Sequence, residues 1–203
     1  MEPKPLDLLR LRSEKPLVVQ AGSVLPASDL QDVTRKLKDR HWLAQRGVPV
    51  RMDQTGTSFE LRDNVIPVLT EFRERLRNTL GIEHAQAQSI RVRRYFPGDA
   101  HKVHTDHYAI NDQFLLATAI LYLNDVQAGG ATNFVDVPNL SIPPESNSLV
   151  AWVNYLDDLS EDMLTRHEST PVEAGEKLIA IYLFYGDKNE VVKIRQTLSS
   201  LSR

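Results

Sequence analysis

The sequence predicts a mainly β, α+β fold: a β-sandwich or jelly roll with helices packed against it as supports. Two observations carry this expectation. Helical periodicity is confined to the residues before Gly81. After it, apolar, β-branched and aromatic runs of strand length follow one another, separated by turn-forming glycines and prolines. A chain of 203 residues fits one domain, 1–203, and is long enough to bury a sizeable core.

The elements follow in order. Residues 1–15 are polar and charged and are expected to form a loose arm; Pro16–Gln20 reads as a short strand. A helix is expected next, with Ser28 as its N-cap, Leu30, Val33 and Leu37 on one face and Gly47 beyond its end. Residues 47–60 are loop-like. Val65, Leu69, Phe72, Leu76 and Leu80 repeat at helical spacing, and Gly81 closes that helix. Residues 16–88 therefore supply a strand and support helices, and the β core is expected over 89–186. Within it Ile90 and Val92 alternate with Arg91 and Arg93 leading to Tyr95. The runs LLATAILYL (115–123), NSLVAWV (147–153) and KLIAIYLFY (177–185) are strands, with short ones near 132–135 and 170–172. Gly129-Gly130, Pro143-Pro144 and Gly175 mark turns. Residues 187–203 are left as a C-terminal tail.

Composition narrows the function classes. The apolar fraction of 41% and charged fraction of 25% are those of an ordinary globular protein. With a net charge of -3, no nucleic-acid or anionic membrane partner is expected. There is no cysteine, which excludes disulfides, thiolate metal sites and cysteine nucleophiles. The first residues, MEPKPLDLLRLRSEKP, lack the apolar stretch of a signal peptide, and no later run reaches membrane-spanning length; a cytoplasmic placement is expected.

The chemistry is concentrated in the strand-rich half. His104-Thr105-Asp106 is a His-x-Asp, and on a strand the period of two puts both side chains on one face, close enough to chelate one ion. That spacing is common by chance, so a third ligand is required. His167, between the strands at 147–153 and 177–185, is the candidate. Two imidazoles and a carboxylate on one face of an octahedron leave three positions open, the donor set of non-haem iron(II) oxygenases. His101 and His107 could instead form a helical row with His104 and hold zinc. Pro97-Gly98 and the β-branched Val103 and Thr105 favour a strand, so His101 and His107 are expected to be exposed and without a metal role. His41 and His84 read as ordinary surface or half-buried residues. Lys177 opens an apolar strand; facing inward, its charge demands an anion. A dicarboxylic acid would provide one, with Tyr95 and Thr132 available for neutral hydrogen bonds.

Tyr95-x-x-Gly98, His104-x-Asp106, Gly129-Gly130-Ala131-Thr132, His167 and, ten residues later, Lys177 stand in an order that resembles the prolyl 4-hydroxylase group of 2-oxoglutarate- and iron(II)-dependent oxygenases. The resemblance is specific from about Arg91 to Gly186. It implies a double-stranded β-helix, or jelly-roll barrel, with iron(II) held by His104, Asp106 and His167. It further implies that Lys177, helped by Tyr95 and Thr132, binds the far carboxylate of 2-oxoglutarate. Dioxygen is then the oxidant, ascorbate the expected reductant, and succinate and carbon dioxide the co-products of hydroxylating a prolyl residue in a peptide. The retained Asp106 favours hydroxylation over halogenation, since related halogenases have a small residue there. The sequence departs from the group's aromatic and tryptophan positions at His101 and Leu178, and Thr105 and His107 also differ. Those changes keep a free amino acid or small metabolite open as substrate. Nucleic-acid demethylases of this chemistry anchor 2-oxoglutarate with an arginine that is missing here. A non-catalytic metal-binding jelly roll would have no use for Lys177 in its pocket.

Overall fold

The computed structural model describes residues 9–53, 55–82 and 89–201. The N-terminal part runs β1 (Arg10–Glu14), β2 (Leu17–Ala21), α1 (Ala27–Lys38), α2 (Arg40–Gln45), β3 (Arg51–Asp53), β4 (Gly56–Leu61) and α3 (Pro67–Leu80). There follow β5 (Ile90–Tyr95), β6 (His101–His104), β7 (Ala109–Ile110), β8 (Gln113–Tyr122), β9 (Ala128–Gly129) and β10 (Thr132–Phe134). The chain closes with β11 (Ser141–Ile142), β12 (Ser148–Val153), β13 (His167–Ser169), β14 (Val172–Ala174), β15 (Lys177–Gly186) and α4 (Glu190–Ser199).

The protein is mostly β, with antiparallel pairing throughout. A large sheet has the order β1-β2-β12-β8-β15-β5-β4-β3, with β7 on β8; a smaller one has the order β11-β10-β13-β6; β14 pairs with β9. Alternation along the central strands builds two cores. On one face Leu121, Leu149, Ala180 and Tyr182 pack with Val33, Leu37, Leu69, Phe72 and Leu76 of the helices. The Phe72 and Tyr182 rings, for example, sit 5.5 Å apart. On the other face Tyr122, Val150, Trp152 and Ile179 pack with Phe134 and Ile142 of the small sheet. The period of two thus splits each buried strand between a supporting core and the face that carries the site.

Several local expectations change. Within the supposed arm, residues 10–14 form β1, a polar edge strand antiparallel to β2; residues 1–8 lie outside the described set, as does His84. The first helix starts at Ala27, after Pro26, with no side-chain cap, so Ser28 is not the N-cap. It also breaks at Asp39, whose carboxylate accepts from Trp42 N (2.9 Å) and starts α2. Residues 47–60, expected as loop, contain the β3–β4 hairpin, which extends the large sheet through β4–β5 pairing. The expected C-terminal tail carries α4, which buries Val191, Ile194 and Leu198 at helical spacing. Thr170 falls between β13 and β14 rather than in a strand. The second helix is as expected: Leu69, Phe72, Leu76 and Leu80 are buried, and Gly81 ends it at φ 72°. Among the described residues no helix is long and apolar enough to cross a membrane.

Candidate active site

The antiparallel pairing of β6 with β13 places His167 directly opposite His104, which brings together two residues far apart in sequence. Their rings are 4.3 Å apart. Asp106 lies two residues past the end of β6, not on a strand as the His-x-Asp argument required, yet it is buried beside them. His104 Nε2 is 3.6 Å from Asp106 Oδ1, and His167 Nε2 is 4.0 Å from Asp106 Oδ2. One ligand atom from each of the three residues falls within 4.8 Å of the others, so this group can hold a metal ion.

The orientation of each donor follows from its neighbours. His104 Nδ1 is 2.8 Å from the Lys102 carbonyl, and His167 Nδ1 is 2.9 Å from the Thr165 carbonyl. A carbonyl only accepts, so both Nδ1 atoms carry the proton and both Nε2 lone pairs face Asp106. Thr118 Oγ1 donates to Asp106 Oδ2 (2.7 Å) and holds the carboxylate. Burial pushes the His167 imidazole below its ordinary pKa, which keeps it neutral and free to ligate at neutral pH. Trp152 sits edge-on to His167 at 4.6 Å. Two imidazoles and one carboxylate are a fitting donor set for iron(II).

A cavity of about 100 Å³ links this group to Lys177. Lys177 is 1% exposed. Its Nζ donates to Gly130 O (2.6 Å) and Ser169 Oγ (2.8 Å) and lies 5.1 and 5.7 Å from the Tyr95 and Tyr122 rings. Among the described residues no carboxylate comes within 4.0 Å of it. Burial lowers its pKa to about 7. Tyr95 is the register partner of Lys177 across β5 and β15. The Thr132 hydroxyl is buried and lies 2.6 Å from Tyr122 OH.

Sequence reasoning missed Ser169, Tyr122 and Thr118. Ser169 was within reach of the period rule, two residues from His167 on β13; Tyr122 and Thr118 are inconspicuous inside an apolar run. The expectation of exposed His101 and His107 is overturned. A register shift between β6 and β13 sets His101 opposite Ser169, so that it lines the cavity with His104 although three residues away. Its ring is 4.5 Å from that of His104, and burial lowers its pKa to about 4. The His107 ring is buried, with Nε2 2.9 Å from the Asn154 carbonyl and Nδ1 3.1 Å from Glu161. Neither joins the ligand group. His41 lies exposed on α2, as expected.

A mostly β protein thus brings His104 and the buried Asp106 and His167 together across one cavity from a buried lysine that, among the described residues, has no carboxylate partner, an arrangement that could hold a metal beside an organic anion. Residues 90–185 match the model of the 2OG-Fe(II) oxygenase superfamily, and the chain resembles the prolyl 4-hydroxylases. Over 196 residues the chain is 32% identical to rat (Rattus norvegicus) prolyl 4-hydroxylase subunit alpha-3, covering 89% of this chain and 35% of that protein. It is 25% identical over 183 residues to the human (Homo sapiens) alpha-1 subunit, covering 82% and 34%. The chain thus spans about a third of the length of these relatives. Its fold is similar to the viral collagen prolyl hydroxylase of Paramecium Bursaria Chlorella virus-1 in complex with 2-oxoglutarate. That match has a TM-score of 0.69 and 20% identity, covering 83% of this chain and 95% of that one. A Pseudomonas putida prolyl-4-hydroxylase matches with a TM-score of 0.55 and 17% identity, covering 82% and 91%.

Proposed function

We propose that this chain is an iron(II)- and 2-oxoglutarate-dependent dioxygenase whose double-stranded β-helix core hydroxylates a prolyl residue in a peptide. The observation that carries the reading is Lys177: a buried ammonium that, among the described residues, has no carboxylate partner, across one cavity from a His-Asp-His group. A cation so placed is costly until an anion joins it, and the far carboxylate of 2-oxoglutarate meets that need.

His104, Asp106 and His167 would hold iron(II), which with dioxygen and 2-oxoglutarate supplies the oxidising power. This chain's residues do the rest. Lys177 binds the distal carboxylate, Ser169 and the Thr132–Tyr122 hydroxyl pair are placed to donate to it, and the Tyr95 ring packs against the lysine. Thr118 orients Asp106, while Trp152 and Phe134 wall His167 off from water. A second cavity of about 350 Å³ shares His101, His104 and Asp106 with the first and is rimmed by Tyr108, Ile110 and Tyr185. We place the peptide there: Tyr108 and Ile110 are exposed large side chains suited to covering an apolar prolyl ring.

The test is incubation with iron(II), 2-oxoglutarate, ascorbate and proline-containing peptides in air. Succinate together with a mass gain of one oxygen atom on the peptide supports the proposal. Oxidation of free proline or another small metabolite, with peptides untouched, would move the substrate class and leave the reaction in place.

A further inference from the structure

The large sheet extends past the small sheet on the face that carries the site. Registered neighbours on a sheet share a face, so the pairs Arg51↔Ser58, Ser58↔Arg93 and Arg93↔Ile179 trace one row from β3 to the cavity wall on β15. Glu60↔Arg91 begins the next row. Over this overhang runs a groove of about 480 Å³ whose charged lining is Arg46, Arg51, Arg62, Arg91 and Arg93 against Glu60 alone. Arg91 and Arg93 also line the Lys177 cavity, so the groove adjoins the site.

The local charge is only partly offset. Glu60 is 4.0 Å from Arg91 with both side chains exposed, and Asp53 is 3.8 Å from Arg93. The Arg46 guanidinium stacks on Trp42 at 3.8 Å. Arg51 and Arg62 are exposed and, among the described residues, have no carboxylate within 4.0 Å. Five guanidinium groups on a chain with a net charge of -3 are a local reversal of sign. Such a surface attracts anions and steers their approach. From β5 to β3 is two strand spacings, about 10 Å, or about three extended residues of a bound peptide.

We propose that this arginine groove docks an acidic stretch of the peptide substrate, lying to one side of the reacting residue. The inference rests on the peptide hydroxylase reading and adds a sequence preference to it. A peptide is favoured over a nucleic acid because the groove shares Arg91 with the cavity that receives the reacting residue.

The experiment uses the full chain and three matched fluorescent peptides carrying one proline, flanked by aspartate and glutamate, by neutral residues or by lysine. The acidic block is placed before the proline in one set and after it in another. Binding is read by anisotropy without turnover, and hydroxylation is read separately as kcat/KM. In one of the two placements the acidic peptide should exceed its neutral counterpart by roughly fivefold in both readouts. That ratio should shrink as ionic strength rises to about 0.5 M. In the double variant Arg51→Glu/Arg62→Glu it should fall to one or below, with an unchanged melting temperature showing that the fold is intact. Hydroxylation of all three peptides at equal efficiency, or an acidic preference that the double variant keeps, overturns the groove. A single-stranded oligonucleotide of equal length binding more tightly than the acidic peptide also overturns it. Acidic preference in binding with no peptide hydroxylated supports the groove and sinks the prolyl hydroxylase reading, which keeps the two failures apart.

Discussion

Replacing Lys177 by methionine should stabilise the protein without ligand and cripple its use of 2-oxoglutarate. Methionine keeps most of the stem's volume and removes the charge. Burial lowers the amine from its ordinary 10.5 to about 7. At about 1.36 kcal/mol per tenfold, that disfavours the buried cation by about 5 kcal/mol. The unfolded chain keeps this proton up to about pH 10.5, whereas the folded protein gives it up near pH 7. The unfolded state therefore binds more protons in that window, so stability rises as pH climbs from about 7 towards 10.5. Below pH 7 the full cost is present. Methionine removes it and loses two hydrogen bonds, to Gly130 O and Ser169 Oγ, worth about 1.5 kcal/mol each from a charged donor. The net gain near pH 7 is about 2 kcal/mol, or about 4–8 °C in Tm for a chain of this size. Loss of the charge that pairs with a buried carboxylate should weaken 2-oxoglutarate binding by at least about a hundredfold. Thermal unfolding across pH 6 to 10 and anaerobic calorimetric titration with 2-oxoglutarate read the two effects. A lower Tm in the variant together with an unchanged 2-oxoglutarate requirement would refute the anion-site argument.

Other perturbations separate the parts of the site. His104→Ala or Asp106→Ala should abolish iron binding and 2-oxoglutarate turnover while leaving far-UV circular dichroism unchanged; retained metal binding would remove either residue from the ligand set. Thr118→Val takes away the donor to Asp106 Oδ2 and should weaken iron binding by about 10- to 100-fold, measured by anaerobic metal titration. Gly129→Ala should cost about 1–3 kcal/mol, because Gly129 sits at φ 75° and a Cβ there would run into the Pro171 carbonyl. Denaturant unfolding reads that cost, and an unchanged midpoint would contradict it.

The core of the site was legible because its chemistry needs rare residue types. His104, Asp106, His167 and Lys177 stand out against apolar or hydroxyl-rich strands, and their order carried the argument. Cross-strand register was not legible: nothing in the sequence says that His167 lies opposite His104, or that a shifted register brings His101 into the cavity. Thr118 and Tyr122 are hidden in LLATAILYL, where a hydroxyl reads as strand propensity. Helices α1 and α3 and the central strands announced themselves by their apolar spacing, whereas α4, which buries Val191, Ile194 and Leu198, reads from the sequence as a tail. β1 and the β3–β4 hairpin did not announce themselves, because edge strands with polar or exposed faces lack a hydrophobic period; β3 is exposed at all three residues. The break at Asp39 was hidden by apolar residues that continue across it into α2.

The most direct test of the proposed chemistry follows both products in one reaction. The protein, iron(II), 2-oxoglutarate and a proline-containing peptide are mixed in air, and succinate and peptide mass are measured together. Succinate should form in step with peptide that has gained one oxygen atom, and neither should form with Asp106→Ala. Failure of iron(II) to bind anaerobically at neutral pH, or peptide left unmodified with no succinate formed, would contradict it.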